Sequence, residues 1–324
     1  MKNFWQQLKA DLSRAGRGIF VLAPMADVTD CVFREIINKY GKPDVFWTEF
    51  VSADGLAHPV AREKLLIDLR YDKAEHPIVA QIFGGKPDNI REAAKLCAEL
   101  GFDGVDINMG CPDKSIEKQC AGSGMIKNPP LAREVIRAAI EGAGGLPVSV
   151  KTRIGYNKNE METWLREVLS EDIAVLTVHL RTRKEMSDVP AHWDLMKRIL
   201  EIRDEVNKNV LIFGNGDVLD INDAHQKVKE TGCDGIMLGR AIFGNPWLFA
   251  GKVPTLEEKL KVMIEHTKLF EKVLSPHKNF AIMKKHYKAY VNNFEGAKEL
   301  RVKLMEADNA TEIENITNDF LKTL

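Results

Sequence analysis

The chain has 324 residues, of which 44% are hydrophobic and 29% are charged, as is typical of a folded globular protein. Its 46 lysines and arginines nearly balance 47 acidic residues, so the net charge of −1 gives no global attraction to nucleic acid, and any such site must be a local basic patch. Five scattered cysteines without CxxC spacing argue against a disulfide framework and a metal site; we expect a cytoplasmic monomer without signal peptide or membrane span.

Eight apolar runs of strand length alternate with segments of helical spacing such as "NIREAAKLCAELGF". Because the runs are continuously apolar, they indicate strands of a buried parallel sheet. Eight such units predict an α/β fold, a (β/α)₈ TIM barrel. An open doubly wound sheet remains the alternative, although no GxGxxG follows the first strand. The strands are predicted at 19–25, 45–50, 77–84, 104–110, 147–155, 175–181, 210–217 and 235–244.

The composition changes after Pro246, because residues 255–324 show helical spacing and no strand-like run. We therefore predict a catalytic barrel over 1–245 and a small all-α domain over 246–324. The second domain carries a cluster of basic residues interleaved with tyrosines, which indicates either an RNA-binding face or an ordinary solvated face. The cluster comprises Lys278, Lys284, Lys285, Lys288, Lys298, Arg301 and Lys303.

Cys111 lies where the fourth predicted strand, "GVDINMG", meets a Gly-Cys-Pro turn. An isolated cysteine is most often a small buried hydrophobe. In a barrel, however, the carboxyl ends of the strands surround the active site. A thiol with an ordinary pKa near ~8.5 is mostly protonated at neutral pH, so it can donate a proton as well as attack.

Lys151 ends the stretch "PVSVK" of the fifth predicted strand, and His179 lies in "LTVHLR" near the end of the sixth. An unpaired buried ammonium is costly, so Lys151 indicates either a structural ion pair or contact with an anionic ligand. His179 is either a core histidine or a ligand contact.

The predicted strands seven and eight close with glycine-containing turns, "FGNGD" (213–217) and "GIMLGRAIFG" (235–244). Many barrels bind phosphate at this place, where glycines let backbone N–H groups approach an anion, and Arg240 adds positive charge. Plain turn glycines are the alternative. The pattern favours a phosphate-bearing ligand and suits a flavin mononucleotide (FMN) enzyme, although spacing alone does not name the flavin.

The chain resembles the tRNA-dihydrouridine synthases in an ordered set of motifs. These are "APMADVTDCVFR" (23–34), "VDINMGCPDKS" (105–115), "VKTRIG", "TVHLRTR", "NGD" and "LGRAIFGNPWLF". Single motifs are unspecific, but their order is specific, and the resemblance covers essentially the whole chain. It implies an FMN-binding (β/α)₈ barrel with a helical domain that helps to hold tRNA.

The resemblance also implies residue roles. Cys111 would protonate C5 of the target uracil while a hydride passes from N5 of reduced flavin to C6, Asn108 would hold the uracil edge, and NADPH would reduce the flavin first. Flavin contacts are implied for Pro24, Met25, Ala26, Gln81, Lys151, His179, Asn215, Gly216, Asp217, Gly239 and Arg240. The basic helices would hold the RNA backbone, with Lys284, Lys285, Lys288 and Arg301 as contacts.

Two departures from the family pattern bear on the substrate. "HLRTR" has leucine where glycine is common, and the loop 184–193 lacks the usual tyrosine–glycine segment. The alternatives are an FMN barrel oxidoreductase acting on a free small molecule, such as a dihydroorotate dehydrogenase-like enzyme, and a non-catalytic RNA-binding barrel. An rRNA substrate is a further alternative, and the sequence does not predict which uridine is modified.

Overall fold

The structure is a computed structural model that describes residues 3–323. Eight parallel strands form one sheet in the order β1-β8-β7-β6-β5-β4-β3-β2, and a parallel bridge between Val21 and Val45 joins its two edges. The predicted (β/α)₈ barrel is thus confirmed. Its strands are β1 (Ile19–Leu22), β2 (Phe46–Ser52), β3 (Ile78–Phe83), β4 (Gly104–Met109), β5 (Val148–Arg153), β6 (Val175–His179), β7 (Leu211–Asn215) and β8 (Gly235–Leu238).

Helices follow the strands along the chain. They are α1 (Phe4–Arg14), α2 (Cys31–Gly41), α3 (Ala53–Ala57), α4 (Pro59–Leu65), α5 (Pro87–Glu99), α6 (Lys114–Glu117), α7 (Pro129–Gly142), α8 (Met161–Leu169), α9 (Met196–Val206), α10 (Ile221–Thr231), α11 (Leu256–Val273), α12 (Met283–Tyr290), α13 (Ala297–Glu306) and α14 (Ala310–Leu321). Within the described residues, none of them has both the length and the hydropathy needed to cross a membrane.

Strands β1, β7 and β8 end earlier than the apolar runs predict. Pro24 follows β1 and has no N–H to donate to a sheet, while Gly216 and Gly239 turn the chain beyond β7 and β8. The residues that follow these strands therefore lie in loops at the mouth of the barrel, where a ligand can reach them.

Helix α1, which the sequence analysis did not predict, closes the floor of the barrel. The Trp5 side chain is fully buried, and its ring centroid lies 5.6 Å from those of both Trp47 and Phe213. These rings belong to the apolar cluster that fills the barrel interior. The carboxyl ends of the strands are therefore left as the open end.

Helices α11–α14 make up the C-terminal helical region, residues 256–321. Helix α11 packs against α2 of the barrel and also against α14. Across the first contact the rings of Phe33 and His266 stack, with centroids 4.9 Å apart and an interplanar angle of 10°. One continuous apolar cluster includes residues of both parts.

Replacing Trp5 by alanine should lower the free energy of unfolding by about 3–5 kcal/mol, because it empties a fully buried aromatic site. Urea denaturation followed by circular dichroism measures this change. Trp5→Phe is the matched control and should cost clearly less, since it keeps one ring against Trp47 and Phe213. A loss below about 1 kcal/mol for Trp5→Ala would show that α1 does not hold the floor.

Candidate active site

A cleft of about 220 Å³ opens at the carboxyl ends of β1, β5, β6, β7 and β8. All of the predicted flavin contacts except Ala26 and Gln81 line it. The lining consists of Ala23, Pro24, Met25, Lys151, His179, Arg181, Ser187, Asn215, Gly216, Asp217, Val218, Met237, Gly239 and Arg240.

The Lys151 ammonium is the unbalanced charge of the cleft. No hydrogen bond or ion pair joins it to another residue within 3–323, and burial, followed by the charge of Arg153, lowers the pKa of Lys151 to about 8. Lys151 lies beside Asn108 in the register of β4 and β5. Lys151 is only partly exposed, and because a poorly solvated, unpaired cation is costly, its placement suits an electron-rich or anionic ligand in the cleft.

The cleft is strongly cationic around His179. Burial, and then the charges of Lys151, Arg153, Arg181 and Arg240, hold the pKa of His179 well below its usual range. The imidazole is therefore neutral and can act as a hydrogen-bond donor or acceptor without adding charge.

Asp217 organises two of these cations. Its carboxylate accepts from Arg181, and its Oδ1 lies 2.6 Å from Nη2 of Arg240. The hydrogen bond from Arg181 is the main reason why the pKa of Asp217 is lowered. Arg181 also lines the cleft, although no role was predicted for it. Its place at the end of the sixth apolar run, directly after "VHL", marked it as a residue of the barrel mouth.

The two glycines that line the cleft differ in whether a side chain would fit there. Gly216 has a φ of +128°, and a Cβ added there would lie 2.8 Å from Cβ of Ala191, so the backbone itself requires glycine. At Gly239 an added Cβ would lie 3.7 Å from Cβ of Ala23 and 3.9 Å from Sδ of Met25. That contact is ordinary, so the missing side chain at Gly239 leaves room in the cleft.

Gln81 and Asn108 form a buried amide network beneath the mouth. Gln81 donates from Nε2 to Oδ2 of Asp106 over 2.6 Å and accepts from Nδ2 of Asn108 over 3.0 Å. Oδ1 of Asn108 accepts the N–H groups of Gly110 and Cys111 over 3.1 and 2.9 Å. The amide oxygen of Asn108 therefore fixes the turn that carries the thiol, while Gln81 lies outside the cleft lining.

The Cys111 thiol is half-buried beside a small apolar cluster that includes Phe50, Phe83 and Ile116. Burial raises the pKa of Cys111 above its ordinary value and outweighs the nearby charges of Lys151 and Arg153, which lower it. The thiol is consequently protonated at neutral pH and can donate a proton.

A group of hydrogen bonds around Glu117, which was not predicted from the sequence, holds the loop that follows Cys111. Glu117 accepts two hydrogen bonds of 2.9 Å from the Arg183 guanidinium and one of 2.7 Å from Ser123. Tyr156 also donates to it over 3.2 Å. The loop after β4 is thereby tied to the loops after β5 and β6. Local patterns give no sign of such a long-range pair.

A separate groove of about 760 Å³ lies between α12 and α13. Lys288 and Arg301 of the predicted RNA contacts line it, whereas Lys284 does not, and Lys285 lies 3.8 Å from Asp27 at the barrel mouth. The full lining is Lys288, Asn292, Asn293, Lys298, Arg301, Val302, Met305 and Glu306.

Comparison with known sequences points to one family. Residues 21–324 match the family model described as dihydrouridine synthase (Dus). A probable tRNA-dihydrouridine synthase from Staphylococcus aureus is 42% identical, over 98% of this chain and 96% of the relative. A probable tRNA-dihydrouridine synthase 2 from Bacillus subtilis is also 42% identical, over 98% of this chain and 97% of the relative.

Solved structures agree on the fold. An old yellow enzyme homologue from Zymomonas mobilis superposes with a TM-score of 0.51 at 16% identity, over 74% of this chain and 91% of that chain. Morphinone reductase gives 0.51 at 13% identity, over 72% and 84%. At such low identity these similarities bear on the barrel fold alone.

Alkylation of Cys111 by iodoacetamide should be slow at neutral pH and should accelerate as the pH rises toward its raised pKa, because the thiolate is the reactive form. Mass spectrometry of Cys120→Ser gives the rate at Cys111, and Cys111→Ser gives the rate at the exposed reference Cys120. If Cys111 reacted as fast as Cys120 at neutral pH, the charges of Lys151 and Arg153 would outweigh burial, contrary to our assignment.

Proposed function

The chain belongs to the dihydrouridine synthase (Dus) family, and on that premise we propose that it reduces a uridine of tRNA to 5,6-dihydrouridine with FMN as cofactor and NADPH as reductant. One observation carries this proposal. The protonated Cys111 lies in the turn after β4, where its N–H donates to Asn108 over 2.9 Å, and Asn108 is paired in register with the unpartnered Lys151 on β5.

The donor set of the cleft suits FMN. Lys151 offers an unused ammonium to the electron-rich side of the flavin ring system, and Arg240 with the neutral His179 offers donors to a phosphate or hydroxyl. The space at Gly239 admits a ligand between β1 and β8. In the proposed arrangement the remaining contacts come from Pro24, Met25, Asn215, Gly216 and Asp217, whereas Ala26 and Gln81 lie outside the cleft lining. The bound, reduced flavin supplies the hydride.

Cys111 supplies the proton in this proposal. A uracil ring resists hydride addition at C6 unless its C5 is protonated at the same time, and a positioned acid is typically worth ~10²–10⁴-fold in rate. Asn108 fixes the backbone N–H of Cys111 and keeps one amide hydrogen for the uracil edge. To reach this depth the target base must leave its stack, which is least costly for an unpaired loop nucleotide.

The helical region would hold the RNA. We propose the division into a catalytic barrel over 1–245 and a tRNA-binding domain over 246–324, with Lys284, Lys285, Lys288 and Arg301 as contacts. Lys288 and Lys298 are exposed at the α12–α13 groove and have no acidic partner within the described part of the chain. Such free cations suit phosphates. An enzyme for a free small molecule would not need them.

Cys111→Ala should retain FMN and tRNA binding but lose dihydrouridine formation by about 10²–10⁴-fold, because only the proton donor is removed. The measurements are flavin absorbance of the purified protein, a tRNA gel shift, and mass spectrometry of digested tRNA. Cys120→Ser, which changes an exposed thiol, is the matched control. Unchanged turnover in Cys111→Ala would refute the acid role, and wild-type turnover of a free pyrimidine instead of RNA would favour the small-molecule enzyme.

Lys288→Met should weaken tRNA binding and reduce the slope of log K against log salt by about 0.7–0.9, the change expected for one lost phosphate contact. Titrations at four salt concentrations give the slope. Lys268→Met is the control, because Lys268 is already paired with Glu314 at 2.6 Å. Equal slopes for Lys288→Met and the wild type would place the RNA elsewhere.

A further inference from the structure

Lys278 reaches from the helical region into the barrel. It lies between α11 and α12, yet its side chain is only 13% exposed. Its Nζ is 2.9 Å from Oε2 of Glu49 on β2 and 2.7 Å from Oδ1 of Asp68. Lys278 belongs to the basic cluster for which an RNA-binding or a solvated face was predicted, but its side chain turns inward.

Glu49 links Lys278 to the loop that lines the cleft. Its Oε2 accepts from Lys278, while its Oε1 accepts the backbone N–H of Asp27. Asp27 has a φ of +53° and follows the cleft-lining residues Pro24 and Met25 by only a few positions. The two oxygens of one buried carboxylate therefore connect the helical region to the loop 24–30.

The charges around Lys278 make this contact hard to replace. Four carboxylates face its ammonium. Two further cations lie nearby, but each is close to a different carboxylate: Arg34 opposes the rise that burial causes in the pKa of Asp30, and Lys285 lies 3.8 Å from Asp27. Burial raises the pKa of Glu49 to about 7, against the lowering effect of Lys278. Removing one partner of a buried pair leaves an uncompensated charge. The four carboxylates are Asp27, Asp30, Glu49 and Asp68.

We propose that Lys278 is a positioning residue for the cofactor cleft: it holds Glu49, and Glu49 holds the loop 24–30 that forms the β1 wall. The part of the proposal that concerns FMN rests on the proposed function, whereas the hold on the loop does not. The cleft wall then depends on a residue outside the barrel.

The test compares Lys278→Met, Glu49→Gln and the double variant. Lys278→Met leaves the two oxygens of Glu49 with one donor, the N–H of Asp27, and leaves the neighbouring carboxylates without their cation. FMN binding, measured by fluorescence quenching, should therefore weaken at least tenfold. Glu49→Gln leaves one side-chain oxygen for two donors, Lys278 and the N–H of Asp27, and should also weaken binding. In the double variant the glutamine oxygen accepts from the N–H of Asp27 alone, so this variant should bind FMN more tightly than either single variant. Lys268→Met, in the same region, should change the affinity less than twofold.

Hydrogen exchange of the protein without FMN gives a second readout. The peptide 23–34 should exchange faster in Lys278→Met than in the wild type or Lys268→Met, and the double variant should reverse part of the change. Additive effects of the two substitutions, or unchanged exchange in Lys278→Met, would overturn the positioning role. If Lys278→Met failed to fold, Glu49→Gln and the double variant would decide by the same comparison. A wild type that binds no FMN would refute the proposed cofactor, while the exchange data would still judge Lys278.

Discussion

The excess of positive charge at the barrel mouth is the constraint on which the other features of the site depend. Lys151 has no partner in the described structure, and Asp217 is already shared between Arg181 and Arg240. Such an arrangement costs free energy in a protein without a ligand, and the binding of an anion offsets that cost. The same charges would favour a thiolate at Cys111, but burial has the larger effect. One mouth therefore combines an excess of positive charge with a protonated thiol.

The helical region is built into the barrel more closely than a tethered binding module would be. Phe33 stacks on His266 across the shared apolar core, and the ion pairs of Lys278 join the same two parts at the rim. Contacts of this kind restrict relative motion, because moving the region exposes apolar surface and separates buried charges. In the proposed function, RNA held by the groove between α12 and α13 would thus be presented to the mouth in a restricted orientation.

The eight strands and most of the cleft could be predicted from the sequence, because a buried parallel strand is continuously apolar and its end is marked by polar residues and glycine. The partners of polar side chains could not. Nothing local shows that the amide of Gln81 is used by Asp106 and Asn108, or that Lys278 turns inward to Glu49. Helix α1 was missed because polar and charged residues are spread through its sequence and Trp5 is its only fully buried residue. Pairing over long sequence distances depends on tertiary geometry, which periodicity does not contain.

Closure of the barrel floor by α1 has a consequence for the order of folding. Trp5 precedes all eight strands in the chain, yet one of its ring partners, Phe213, lies on β7 and is synthesised only after six strands. Until then the indole has no complete site, and a large apolar ring stays available to wrong partners. The floor is therefore a late, long-range contact, which slows folding and makes its completion a sign that the whole barrel has assembled.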